Sequence, residues 1–427
     1  MGSSVRFAAL AALLSVSCST PGYVKTAYSG DLATLKKEIQ GARSSRELGR
    51  KEVLRLAEAV ARREVFSARG EDAPERIHSV RPCIGAVESE LRERARTEDD
   101  AGAESLLALV EAGRESRGSL VSKYGASPLG GFRAVAARLT TEPGDAPARR
   151  AFTRDPDERV RRAALRAAFE AKDPADVDAL LEASRLDPDP SNRSLAIRAA
   201  GSVGGPKVAL ALADLYPVAD RTVRLSIVEA WGMTRVFPLG GSGELLALAE
   251  RGEGLPSVAA ANELTRIGRE GAREGRAVLV RAIAEGSTDE RLVAIQVAPL
   301  SDPDVVPALR TAGKSEDAVV RVVALARLLE VRADRAAALA ALETAAAGKD
   351  GAARQAAAAL VAAGDPKAVP LLLPGLEGDE PAWRELAAVG LFRLGRAPEM
   401  ASALADSDPA VRLGVACSVL AEDRPSG

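Results

Sequence analysis

Three cysteines, one histidine and 60 acidic side chains are the groups in this chain that could do chemistry. Catalytic and structural transition-metal sites built on imidazole need several histidines, and His78 stands alone, so multi-histidine sites are excluded. His78 reads as a polar surface residue. The carboxylates are spread along the chain, and none is singled out as a general acid/base pair. Phosphate-binding loops need clustered glycines followed by a lysine at a helix start. Gly130-Gly131 and Gly240-Gly241 have no such lysine and read as turn glycines. The expectation is a non-enzymatic protein without metal or other cofactor.

Cys18 has a different context. Arg6 gives a positive start, Phe7 to Leu14 is a short apolar run, and Ser15-Val16-Ser17 precedes the cysteine. The run is too short to span a membrane, which takes about 20 residues, but it fits the core of a secretory signal. Residues 1–22 are therefore expected to be a signal peptide. Leu14-Ser15-Val16-Ser17-Cys18 resembles a bacterial lipobox, in which Cys18 is lipidated and becomes the mature N-terminus. It departs from that pattern in placing Ser15 where leucine is preferred, with Leu14 one position early. Ser15 and Ser17 also suit ordinary signal peptidase, which would release a soluble exported protein. Lipidation at Cys18 is the reading carried forward.

The rest of the chain must be built largely from helices. Nearly half of it is apolar (47%), yet only 3% is aromatic, so the apolar volume is mostly Ala, Leu and Val. Alanine favours helix and lets helices approach closely, which points to many thin helical layers. Formal net charge is −2 with the two signs interspersed. The clustered basic surface that a nucleic-acid backbone requires is missing.

One block recurs: an acid, an arginine four positions on, then alanine three further. It appears as Asp157, Arg161, Ala164 and as Asp189, Arg193, Ala196, and again from Asp317, Asp350 and Glu380. Asp220 with Arg224 and Asp408 with Arg412 are weaker copies, Arg291 has its acid shifted to Asp289, and a degenerate copy near Val258 lacks the arginine. The anchors are spaced by 28 to 35 residues. Between them Asp173-Pro174, Asp302-Pro303 and Asp365-Pro366 each lead an apolar helical pattern. Aspartate satisfies free N–H groups at a helix start, and proline at the first position needs no donor. Each period is thus a pair of helices: a Pro-started helix A and an Asp-capped helix B carrying the arginine. Acid and arginine four apart interact on one helix, and each arginine is expected also to reach the preceding repeat's acid, tying layers together.

This unit resembles HEAT repeats, in particular the shorter bacterial kind related to phycobilisome-lyase HEAT-like repeats. The resemblance rests on the Asp-Pro starts and on Val160-Arg161, Val223-Arg224, Val320-Arg321 and Val411-Arg412, and covers about Ser127 to Glu422. Tetratricopeptide repeats would need recurring Trp and Tyr, and ankyrin repeats a recurring Thr-Pro-Leu-His; this chain has neither. The resemblance implies an all-α, right-handed α-solenoid of antiparallel helix pairs, with about nine repeats over residues 119–427. Residues 23–118, with helical patterns from Asp31, over Leu48 to Val65 and over Ser105 to Glu111, read as an irregular helical region capping the array. In a stacked array each repeat touches only its neighbours, so Cys83 and Cys417 are expected to be far apart, unpaired and apolar in role.

The functional expectation is a protein-binding scaffold of the bacterial cell envelope, exported to the periplasm or anchored at the membrane through its N-terminal lipid alone. Alternatives are an envelope-assembly or chaperone-like factor, and a lyase-type enzyme of the kind the resembling family includes. The resemblance implies that B helices line the binding side. Five positions after each anchor stand Arg166, Arg198, Glu229, Leu264 and Gln296, then Ala326, Ala359, Val389 and Cys417. Arg166 and Arg198 are candidate partner contacts, as is Phe237 in the irregular connection Met233 to Gly243.

Overall fold

The computed structural model describes residues 20–423 except 71, 253, 269–270 and 349. Residues 1–19 of the expected signal segment, Cys18 among them, lie outside the described residues. Every regular element among those described is a helix, either α or a short 3-10 turn. The chain divides into two compact units, one running Gly113–Ala363 and the other combining the residues up to Ala112 with those from Gly364 onward.

In the Gly113–Ala363 unit the B helices form a continuous row. Gly130–Arg138 packs on Glu158–Ala171, which packs on Pro190–Val203, followed by Arg221–Trp231, Gly254–Ile267, Thr288–Val297, Ala318–Leu328 and Gly351–Ala362. The A helices stand behind this row, and the unit is an all-α solenoid of stacked helix pairs. Small residues set the spacing: Ala163, Ala164, Ala167 and Ala168 are all buried on a single helix. At Gly201 the next B helix comes so close that a Cβ would lie 2.9 Å from that of Ala230.

The recurrent acids act as caps. Asp157 accepts from the backbone N–H of Arg159, Asp189 from Asn192, Asp220 from Val223 and Asp350 from Ala353. In the repeat with the shifted acid, the Glu290 carboxylate accepts from the N–H of Ser287 at 2.8 Å, so Asp289 is not the cap. Two of the three Asp-Pro starts are 3-10 turns: Asp173 caps Pro174–Asp176, which runs into Val177–Leu186, and Asp365 caps Pro366–Ala368, whereas Asp302-Pro303 lies in a plain turn before Val305–Ala312.

The other unit departs from the linear order expected. Its last two B helices, Pro381–Arg393 and Pro409–Glu422, pack together, and Pro409–Glu422 then packs on Arg50–Ser67. Gly22–Ser29 and Ile84–Arg94 flank Arg50–Ser67, and Asp100–Glu111 packs on Ile84–Arg94. Residues 20–112 therefore stand against the final repeats, and Arg50–Ser67 takes the place of one further B helix. Val53, Leu56, Ala57 and Val60 are all buried on that helix.

Candidate functional site

The recurrent arginines form a ladder, built differently from the pairing expected. Arg161 donates through Nη1 to the carbonyls of Asp155 and Pro156, 3.0 Å each, and through Nε to Asp187 at 2.8 Å. Asp187 belongs to the following repeat and is 1% exposed. Arg133 repeats the pattern with Ser127, Pro128 and Asp155, and Arg193 with Asp187, Pro188 and Asp220. Arg384 does so with Gly378, Asp379 and Asp406. The acid reached is thus in the next repeat, not the preceding one, and at Arg161 and Arg193 the acid four residues earlier is occupied as the helix cap. Helical side chains lean toward the N-terminus, which lays each guanidinium over its own entry loop and beside the next. The bond to Asp187 raises the Arg161 pKa further, against burial. Burial pushes the Asp155 carboxyl up, but the bonds from Arg133 and from the Asp157 N–H outweigh it and hold that pKa below the usual carboxylate value.

At three middle rungs no acid is met among the described residues. Arg224 bonds the carbonyls of Tyr216 and Pro217, Arg291 meets the Ser315 hydroxyl at 3.2 Å, and Arg321 holds the carbonyls of Ser315 and Glu316. A buried arginine outside the motif, Arg149, is fully enclosed and bonds Asp176 at 2.6 Å. Sequence reasoning missed it, because it lies on a seven-residue helix with no period to mark it.

The final rung is Arg412. Its Nη1 donates to the Asp406 and Ser407 carbonyls, and its Nε and Nη2 lie 2.8 and 2.7 Å from Oε1 of Glu64. Both side chains are less than a tenth exposed. The partner that a following repeat would supply comes instead from Arg50–Ser67. Arg50 stacks over the Phe392 ring at 4.0 Å and pairs with Asp423. Cys83 and Cys417 form a disulfide across the same joint, with Cα atoms 4.7 Å apart. This overturns the expectation of two distant free thiols, which assumed that only sequence-adjacent repeats touch.

The candidate contact residues separate. Arg166 and Arg198 lie on neighbouring B helices, Glu158–Ala171 and Pro190–Val203. Arg198 is exposed and pairs with Glu229, the equivalent position one repeat on, at 2.8 Å. Gln296 is exposed, and Ala326, Ala359 and Val389 are half-buried, while Leu264 and Cys417 are in the core. Phe237 is 7% exposed and belongs to a 3-10 turn, Phe237–Leu239, so its ring packs inward and is not presented to a partner. Gly241 permits that packing: a Cβ there would lie 2.4 Å from the Trp231 carbonyl oxygen.

Among the described residues no group of three or more His, Cys, Asp or Glu side chains could hold a metal ion, and no helix is long and apolar enough to cross a membrane. His78 is exposed and meets Glu104 through Nδ1 at 3.2 Å.

The family model for HEAT repeats matches residues 146–232. That segment is the part of the solenoid where the arginine ladder is most regular. A crystal structure of a Kap121p mutant is similar at 13% identity with a TM-score of 0.36, over 87% of this chain and 48% of that one. The chain thus spans about half the length of that protein. An engineered protein is similar at 18% identity with a TM-score of 0.29, over 76% of this chain and 99% of the other. No curated protein matches the sequence.

Proposed function

We propose that the protein is a non-enzymatic protein-binding scaffold of the bacterial cell envelope, exported by its N-terminal signal and held at the membrane by a lipid on Cys18. The observation that carries the binding role is the row of B helices in the Gly113–Ala363 unit. Its outer face bears side chains that stay at least partly exposed, charged at Arg162, Arg166 and the Arg198–Glu229 pair and small or apolar at Val323, Ala326 and Ala359. Solenoids bind through such extended faces, and protein interfaces favour arginine. Export is supported by the Cys83–Cys417 bond, since disulfides persist in oxidising compartments and are rare in reducing ones.

Crosslinked capture from the native envelope tests the binding role. Arg166→Glu combined with Arg198→Glu should reduce partner capture several-fold while leaving the helical circular-dichroism melt intact. Capture unchanged with the fold preserved would remove this face from consideration. Cys18→Ala should shift the mature mass and abolish detergent partitioning; an unchanged mass and partitioning would rule out lipidation.

A further inference from the structure

A cavity of about 400 Å3 opens beside the Arg412–Glu64 pair. Three arginines, Arg63, Arg76 and Arg412, and one carboxylate, Glu64, line it. Glu64 is already committed: Arg412 holds its Oε1, and Arg76 lies 3.5 Å from its Oε2. Arg412 is in turn saturated by Glu64 and the two carbonyls of its entry loop. Arg63 is different. Its Nε is buried and has no hydrogen-bond partner among the described residues. Gly30 makes room for the guanidinium: it adopts φ +79°, and a Cβ there would lie 2.8 Å from Nε and 2.9 Å from Nη2. The cavity therefore carries an excess of two positive charges over its one carboxylate, with a buried guanidinium Nε that no described residue bonds. Leu32, Leu35 and Leu404 provide an apolar wall.

Buried donors are normally satisfied, and a guanidinium fork matches the oxygens of a carboxylate or phosphate. Pockets that hold small molecules combine an apolar lining with a few convergent polar groups at about this volume. We propose that this cavity binds a small organic anion, with a carboxylate or phosphate head against Arg63 and a short apolar body on Leu32, Leu35 and Leu404. Helices from both ends of the chain line the site, so occupancy ties residues 27–76 to residues 404–412 and stabilises their contact.

Titration calorimetry of the full-length exported protein with inorganic phosphate, hexyl phosphate and hexanoate tests this. A saturable one-to-one isotherm with hexyl phosphate or hexanoate is expected, accompanied by a higher melting temperature. Tighter binding of hexyl phosphate assigns a phosphate head, and tighter binding of hexanoate a carboxylate. Inorganic phosphate should bind more weakly than hexyl phosphate because it lacks the apolar body. Arg63→Gln should weaken binding about ten-fold or more. If that variant folds poorly, Leu32→Trp, which fills the cavity and keeps Arg63, should do the same. Arg166→Glu should bind as the parent does. Affinity unchanged in a folded Arg63→Gln, or no saturation by either organic probe at concentrations on the order of millimolar, would overturn the proposal.

Discussion

Arg412 and Arg321 occupy equivalent positions of the repeat but have different partners. Arg412 meets a buried carboxylate, whereas among the described residues Arg321 bonds only backbone carbonyls. Removing one member of a buried ion pair costs about 3–5 kcal/mol; Arg76 remains 3.5 Å from Oε2 of Glu64, so Arg412→Ala should lose about 3 kcal/mol in denaturant unfolding. Arg321→Ala should lose about 1–3 kcal/mol. A loss at Arg412 no greater than at Arg321 would mean that Glu64 is solvated. Glu385 shows the opposite balance. Burial raises its pKa, only partly offset by the Ser418 hydroxyl. A carboxyl whose folded pKa exceeds its unfolded one favours folding while protonated, and this contribution is lost as pH rises through the folded value. Glu385→Gln should therefore gain about 1 kcal/mol at pH 7, a gain that shrinks as pH falls toward the unfolded glutamate pKa of about 4.3. A melting temperature that the substitution leaves unchanged at pH 7 would contradict this.

At the scale of the elements, the helix starts were legible because a cap and the N–H it satisfies lie within three residues of one another. Asp157, Asp189, Asp220 and Asp350 all occupy the positions that their spacing assigns. Asp350→Ala should cost about 0.5–2 kcal/mol, because the Ala-rich helix Gly351–Ala362 has little else to fix its start; a change under a few tenths of a kcal/mol in thermal unfolding would show that water replaces the cap. The direction of the ladder was not legible. Arg161 has acids four residues before it and 26 after it, and only the lean of helical side chains decides between them. Phe237 was misread for a related reason. A Gly- and Pro-rich stretch reads as an open loop, whereas here glycine at 241 lets the turn pack tightly enough to bury the ring.

For the molecule as a whole, the helix pairs could be read from local periodicity, but the placement of residues 20–112 could not. Neighbour-only stacking puts Cys83 and Cys417 far apart; in the structure they are bonded across 334 residues of sequence. One signal was available. Glu64 falls on the same helical stripe as Val53, Leu56, Ala57 and Val60, and a carboxylate on a buried stripe requires a cationic partner. The N-terminal helices supply the final rung of the ladder and are sealed there by the disulfide. Peptide mapping by mass spectrometry, on protein isolated from its native cells with free thiols blocked and no reductant, addresses this directly. The prediction is a single linked species joining the peptides of Cys83 and Cys417; recovery of both as alkylated free thiols would contradict it.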